Sequence, residues 1–339
     1  MKLPWKTKGI VLTAPLTEEV DTVVKFIDEY LAKQKVNLIV MQVRYRYQFK
    51  RHPEVWGYDP LSKEDVKKLV AVCKKNGIKL VPKMNLHGHQ SGVPNTPTDG
   101  ILHGRDDIKP HMRDGLLRAY PDFDEHRDIK EHTLRCICTQ NGAAKMVVCE
   151  LMDELMEVFE SDTIHIGCDE VFRMAECPIC TQIPKAKLFA DWITALHDHV
   201  ASRGGKIMMW GDRLLSSKET GYNNVFDASE EGTEDALNMI PKDIIICDWH
   251  YPVYEKYTSV DIFARAGFEI MVSPWFNQDA AKAFMNYAVE HDTGHIRGAL
   301  MTTWCGSGDL ARRIMYGEEG RWEHTNKIAD AVEALFDET

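Results

Sequence analysis

At 339 residues, with 44% apolar and 27% charged positions, the chain has the composition of a soluble globular protein and the length of one large barrel domain. A formal charge of −11 excludes nucleic acid or an anionic membrane as the main partner, because phosphate contacts need clustered Lys and Arg. The first nine residues lack the apolar run of a signal peptide, no window reaches the length of a membrane span, and nine cysteines in no regular framework fit reduced thiols, so a cytoplasmic protein is expected.

In chain order, residues 9–15 form an apolar run ended by proline, a first strand. Residues 18–33 carry Val20, Val23, Val24, Ile27 and Leu31 at helical spacing. Strand two covers 37–44 and runs on into 45–49. Ser62, with acids in the following turn, starts a helix that continues to about Lys75, where Asn76-Gly77 stops it. Strand three, 78–82, opens into Lys83-Met-Asn-Leu-His-Gly-His-Gln-Ser-Gly92.

The segment 93–141 is rich in Pro, Gly, Asp and His and has no sustained period. A connection of this length inside a compact domain is usually a lid or a pocket wall. A helix over 143–159 leads to strand four, 163–167. Another helix over 186–202 precedes strand five at 206–212, and strands six, seven and eight follow at 243–250, 269–275 and 298–304. A terminal helix carries Ile328, Ala331, Val332 and Leu335. Eight apolar strands alternating with helices, without a glycine-rich phosphate turn, predict a closed (β/α)8 TIM barrel with a long loop after strand three. No linker or composition shift divides the chain, so residues 1–339 are expected to form a single catalytic domain.

Strand four ends in adjacent carboxylates, Asp169 and Glu170. Neighbours in a regular strand face opposite ways, so the two can serve one pocket only where the strand gives way to a loop. The C-terminal strand ends of a parallel barrel are where catalytic groups sit. Trp210, Trp249, Trp275 and Trp304 all fall at or just past such ends, with Asp212, Asp248, His250 and Tyr251 close by. Aromatic walls with a few polar groups suit a pyranose, which has apolar faces and a hydroxylated edge.

Two acids beside an aromatic pocket suggest glycoside hydrolysis. Adjacent residues cannot easily flank a sugar as acid and nucleophile, so the pair fits a mechanism in which a 2-acetamido group of the substrate attacks and forms an oxazolinium ion. Glu170 is then the general acid and later the base, while Asp169 stays ionised, accepts the acetamido N–H and stabilises the developing positive charge. Such a reaction needs no cofactor and no catalytic metal.

His165-Ile-Gly-Cys-Asp-Glu170 resembles the His-x-Gly-Gly-Asp-Glu signature of glycoside hydrolase family 20, the β-N-acetylhexosaminidases, with Cys168 in place of the second glycine. Val81-Pro-Lys-Met-Asn-Leu-His-Gly-His89 is similar to that family's strand-three motif, Ile-Pro-Glu-x-Asp-x-Pro-Gly-His. The resemblance implies an exo-acting, retaining enzyme on N-acetylhexosamine-terminated glycans, with His89 supporting the catalytic acid and His87, at a proline position, outside the site. It also marks departures. Lys83 and Asn85 replace acids, Tyr45 and Arg46 stand where acids follow strand two, and strand one lacks a substrate-binding arginine. Strand eight reads Trp304-Cys-Gly306 for Trp-x-Glu, and Phe276 replaces a tyrosine whose hydroxyl Tyr251 is the candidate to supply. The alternatives are a glycosidase for another 2-acetamido linkage and a non-catalytic carbohydrate-binding barrel.

Cys177-Pro-Ile-Cys180 has the spacing of half a zinc knuckle, but a structural zinc needs four ligands. The only second pair is Cys136-Ile-Cys138, one residue apart, so free thiols or a disulfide are expected rather than a metal.

Overall fold

The structure, a computed structural model, describes residues 4–90, 115–126, 135–222 and 224–336. Eight strands pair in parallel and in chain order, and the first closes on the last. They are β1 (Thr7–Thr13), β2 (Leu38–Gln42), β3 (Lys79–Lys83), β4 (Thr163–His165), β5 (Lys206–Trp210), β6 (Ile245–Trp249), β7 (Glu269–Ser273) and β8 (Ile296–Met301). Helices Val20–Phe26, Lys63–Lys75, Gly142–Val158, Lys185–Ala201, Thr258–Arg265, Gln278–Glu290 and Ser307–Tyr316 follow seven of the strands, a short helix, Ser217–Thr220, follows β5, and Glu323–Phe336 ends the chain. The fold is a (β/α)8 TIM barrel.

Both faces of every strand are covered, which is why the strands read as continuous apolar runs. Alternate residues divide between two cores. Val11, Leu38, Val40, Val81, Met208, Ile245, Cys247, Met271 and Leu300 fill the barrel interior. Their neighbours, such as Ile10, Ile39, Met41, Leu80, Ile246 and Val272, pack outward against the helices. The inward parity of each strand therefore decides which side chain emerges at its C-terminal mouth.

Local signals set several boundaries. Ser62 accepts from the Asp65 amide while the Asp65 carboxylate accepts from the Ser62 amide, a reciprocal cap that starts the helix Lys63–Lys75, and Gly77 stops it at φ 67°. Asn141 and Asn277 cap two further helices through their side-chain oxygens.

Three expected elements differ. The helix over 18–33 is α-helical only for Val20–Phe26, with a 3-10 turn before it and a wider turn, Ile27–Leu31, after it. Strand two does not run into 45–49: the amides of Val43 and Arg44 both donate to the Lys83 carbonyl, Arg44 turns left-handed at φ 52°, and the chain leaves the sheet. Of the long segment after β3, residues 93–114 and 127–134 lie outside the described residues. Its described part holds a short helix, Leu116–Ala119, a 3-10 turn, Pro121–Phe123, and an antiparallel bridge between Asp124 and Ile137. Among the described residues no helix is long and apolar enough to cross a membrane.

One buried bond fixes the loop after β3 to the helical layer. The Trp192 indole donates to the Leu86 carbonyl at 3.0 Å, and His87 packs beside Trp192 and Phe189. Trp192→Phe keeps an aromatic ring but orphans that carbonyl. The expected loss is about 1–3 kcal/mol, read as a lower denaturant midpoint with an unchanged slope.

Candidate active site

The site is built on the break at the end of β4. Regular strand geometry stops at His165, although Ile166 still donates to Met208 and the Trp210 amide donates to the Gly167 carbonyl. Gly167, Cys168 and Glu170 then take left-handed backbone conformations, φ 70°, 66° and 50°. This cancels the alternation of a strand, so the consecutive Asp169 and Glu170 both line one cleft of about 280 Å³. Glycine is required at 167, where a Cβ would lie 2.9 Å from the Met84 carbonyl oxygen. At 168 the backbone explains why the related motif carries glycine, and Cys168 holds the same conformation at a cost of roughly 1–2 kcal/mol. On the facing loop, a Cβ on Gly88 would meet the Asp169 carbonyl oxygen at 2.7 Å.

Cations govern the electrostatics. His89 Nε2 lies 3.2 Å from an Asp169 oxygen and 3.1 Å from a Glu170 oxygen. Burial alone would lower the His89 pKa, but Asp169 and Glu170 outweigh it and raise it to about 10. Burial likewise works against the Asp169 charge, yet His89 and Lys83 hold its carboxyl well below the usual carboxylate range. Asn85 donates to Asp169 at 3.3 Å and accepts from Lys83 at 2.7 Å, and Lys83 also donates to Gln42 at 3.1 Å. Burial pulls Lys83 down to about 8, opposed by Asp169, which leaves it mostly charged at neutral pH.

The aromatic walls assemble as strand parity requires. Trp210, Trp249, Tyr251, Trp275 and Trp304 all line the cleft. Tyr251 packs between Trp249 and Trp275, with centroids at 4.8 and 5.0 Å, and Trp210 meets Trp304 edge-on at 5.8 Å. The Trp304 indole donates to the Tyr251 hydroxyl at 2.7 Å, and Thr302 Oγ1 lies 3.5 Å from the same oxygen.

Of the candidates named from sequence, Asp169, Glu170, His89, Tyr251 and the four tryptophans come together in the cleft. Asp212 stands behind its wall. It accepts from the Glu170 amide at 2.9 Å, from Arg213 at 2.8 Å and from the Trp249 indole at 3.2 Å. Burial pushes its carboxyl up to about 6, against the pull of Arg213. Asp248 and His250 have outward parity and lie in a buried polar network with Ser259 and Asp227. His87 is fully buried beside Phe189 and Trp192, and burial lowers it to about 3.

Gln42 and Arg44 also line the cleft, though neither was singled out from sequence. Parity could have found Gln42, which follows Leu38 and Val40 on the inward side of β2. Tyr45 and Arg46 instead turn away, Tyr45 donating to Gln90 at 2.6 Å and Arg46 to the carbonyls of Ala14 and Pro15.

Residues 21–300 match the model of glycosyl hydrolase family 20, catalytic domain. The chain is 18% identical to beta-hexosaminidase 1 of Coccidioides posadasii over 81% of its own length and 45% of that protein's. It spans less than half the length of the curated relatives it matches. Among solved structures, the chitobiase of Flavobacterium johnsoniae superposes with a TM-score of 0.63 at 17% identity, covering 97% of this chain and 48% of that one. The exo β-N-acetylglucosaminidase of Vibrio harveyi, solved with N-acetylglucosamine, gives 0.62 at 14% identity, covering 98% and 57%. These likenesses carry the barrel architecture, and the match over most of the chain carries the membership: the protein belongs to glycosyl hydrolase family 20 through its catalytic domain.

Proposed function

We propose that the chain is a single-domain, exo-acting β-N-acetylhexosaminidase-like glycosidase that retains anomeric configuration by substrate assistance. The observation that carries this reading is the adjacency of its acids. Among the described residues lining the cleft, Asp169 and Glu170 are the only carboxylates, and they stand side by side on one turn. A pair so placed does not supply an acid and an enzymic nucleophile on opposite faces of a sugar ring, which leaves the attack to the substrate's own acetamide.

In this mechanism Glu170 protonates the glycosidic oxygen as the C1–O bond breaks, and the 2-acetamido carbonyl oxygen closes on C1 to give an oxazolinium ion. Asp169, kept anionic by His89 and Lys83, accepts the acetamido N–H and offsets the positive charge that spreads over the new ring. The Tyr251 hydroxyl, already accepting from Trp304, donates to the acetamido oxygen and aims it. Water then attacks C1 while Glu170 takes its proton, restoring the acid and releasing a sugar of unchanged configuration. The tryptophans cover the apolar faces of the ring. The substrate is a carbohydrate with a terminal N-acetylhexosamine, the net charge of −11 disfavours nucleic acid and membrane surfaces, and nine unpaired cysteines favour the reducing cytoplasm.

Hydrolysis of chromogenic N-acetylglucosaminide and N-acetylgalactosaminide tests the reading. Wild type is expected to turn over at least one of them, Glu170→Gln to lose about 10²–10⁴-fold in rate, and a thiazoline mimic of the bicyclic intermediate to inhibit. A wild type as inert as the variant but still binding sugar would establish a binding barrel instead. Asp212→Asn, which disturbs the acceptor under the Glu170 amide, is expected to lower kcat by roughly 10²-fold with little change in KM. His89 gives a pH signature. Because its folded pKa is raised, its contribution to stability is complete below about 6.5 and is lost as pH rises through about 10. The stability gap between wild type and His89→Gln, measured by denaturant midpoints, is therefore expected to shrink across that window.

A further inference from the structure

A second cluster of chemically capable side chains lies outside the sugar cleft, where the segment after β3 meets the loop after β4. Glu125, Cys138, Cys177 and Cys180 each direct one ligand atom into a common space, all within 4.8 Å of one another. Glu125, Cys138 and Cys177 line a separate cavity of about 550 Å³, and Cys180 is buried.

We propose that these four residues bind one divalent cation of zinc type, in a closed structural site. Three observations carry this. The Cys138 sulfur lies 3.8 Å from that of Cys177 and 3.7 Å from that of Cys180. A tetrahedral zinc with bonds of about 2.3 Å sets its sulfurs about 3.8 Å apart, whereas a disulfide needs about 2.05 Å. Both separations therefore fit a shared metal, and all three thiols are unpaired. Next, Glu125 is only 5% exposed, and its Oε2 has no hydrogen-bond partner among the described residues. The other oxygen, Oε1, accepts from the amides of Glu176 and Cys177 at 2.8 and 3.0 Å, which holds the carboxylate against the cluster. An orphaned buried carboxylate oxygen facing three sulfurs is costly without a cation and natural with one.

The third observation is the backbone. Cys177 and Cys180 form a knuckle in which the Cys180 amide points to the Cys177 sulfur at 3.4 Å, an arrangement that stabilises a thiolate. The bridge between Asp124 and Ile137, continued by hydrogen bonds from Glu125 to the Cys136 carbonyl and from Cys138 to the Phe123 carbonyl, sets Glu125 beside Cys138. Sequence spacing suggested Cys136 as the companion of Cys138, but the Cys136 thiol donates to the Arg173 carbonyl at 2.8 Å and Glu125 takes the fourth place. Sulfur-rich tetrahedral sites select zinc-like cations over magnesium or calcium. On binding, the three thiols release their protons to solvent and the cation bonds three thiolates and one carboxylate. With four protein ligands no position is open for catalysis, so the metal fastens the wall after β3 to the loop that follows Glu170. None of this rests on the glycosidase reading.

The full chain, produced with zinc and freed of loose metal, is expected to carry about one equivalent by elemental analysis. Cobalt in its place should give thiolate-to-cobalt charge-transfer absorption and intense tetrahedral d–d bands. Cys138→Ser and Glu125→Gln should lose most of the bound zinc, Cys136→Ser should keep it, and a strong zinc chelator should lower the Tm of wild type but not that of Cys138→Ser. Less than a tenth of an equivalent in wild type together with no cobalt–thiolate absorption would overturn the site, even if the cysteine variants fail to fold. Equal zinc loss from Cys136→Ser and Cys138→Ser would overturn the assignment of its ligands.

Discussion

Everything at the mouth of this barrel depends on the backbone reversal after β4. Three left-handed residues in four positions undo the two-sidedness of a strand and deliver a proton donor and an anion, adjacent in sequence, to the same cleft. The strain this stores is tolerable because the turn is held from several directions: by the main-chain contacts of β3 and β5, by the Asp212 carboxylate under the Glu170 amide, and by the close approach of the Gly88 backbone. The carboxylates are thus placed by the fold rather than by their own side-chain preferences.

The second determinant is charge. Burial would favour the neutral form of Asp169, and His89 and Lys83 reverse that tendency. His89 touches both acids, its Nε2 lying 3.2 Å from an Asp169 oxygen and 3.1 Å from a Glu170 oxygen, so one imidazole holds the pair together. Asp212 has the opposite environment. It is more deeply buried, and its three donors hold it in place without removing the cost of its charge.

Much of this was legible in the residues. The eight strands, the capped helix at Ser62, the acid pair and the four tryptophans follow from periodicity, capping chemistry and position at strand ends. The sequence was misleading where tertiary contacts override local pattern. Residues 45–49 alternate aromatic and polar side chains as a strand does, but Arg44 turns out of the sheet and Arg46 is spent on backbone carbonyls. Asp212 continues the inward parity of Met208 and Trp210, yet it lies behind the cleft wall, held by the Glu170 amide, Arg213 and the Trp249 indole. Asp248, between the inward-facing Cys247 and Trp249, faces the helices as alternation requires. Spacing in the chain likewise paired Cys136 with Cys138, whereas proximity in space pairs Cys138 with Glu125 and the Cys177–Cys180 knuckle.

The missing side chain at Gly88 has a consequence for how such a protein can change over time. With the Asp169 carbonyl where a methyl group would be, the loop bearing His89 and the turn bearing the acids interlock like adjoining stones in an arch. A lineage cannot remodel one and leave the other as it was; they diversify together or stay fixed.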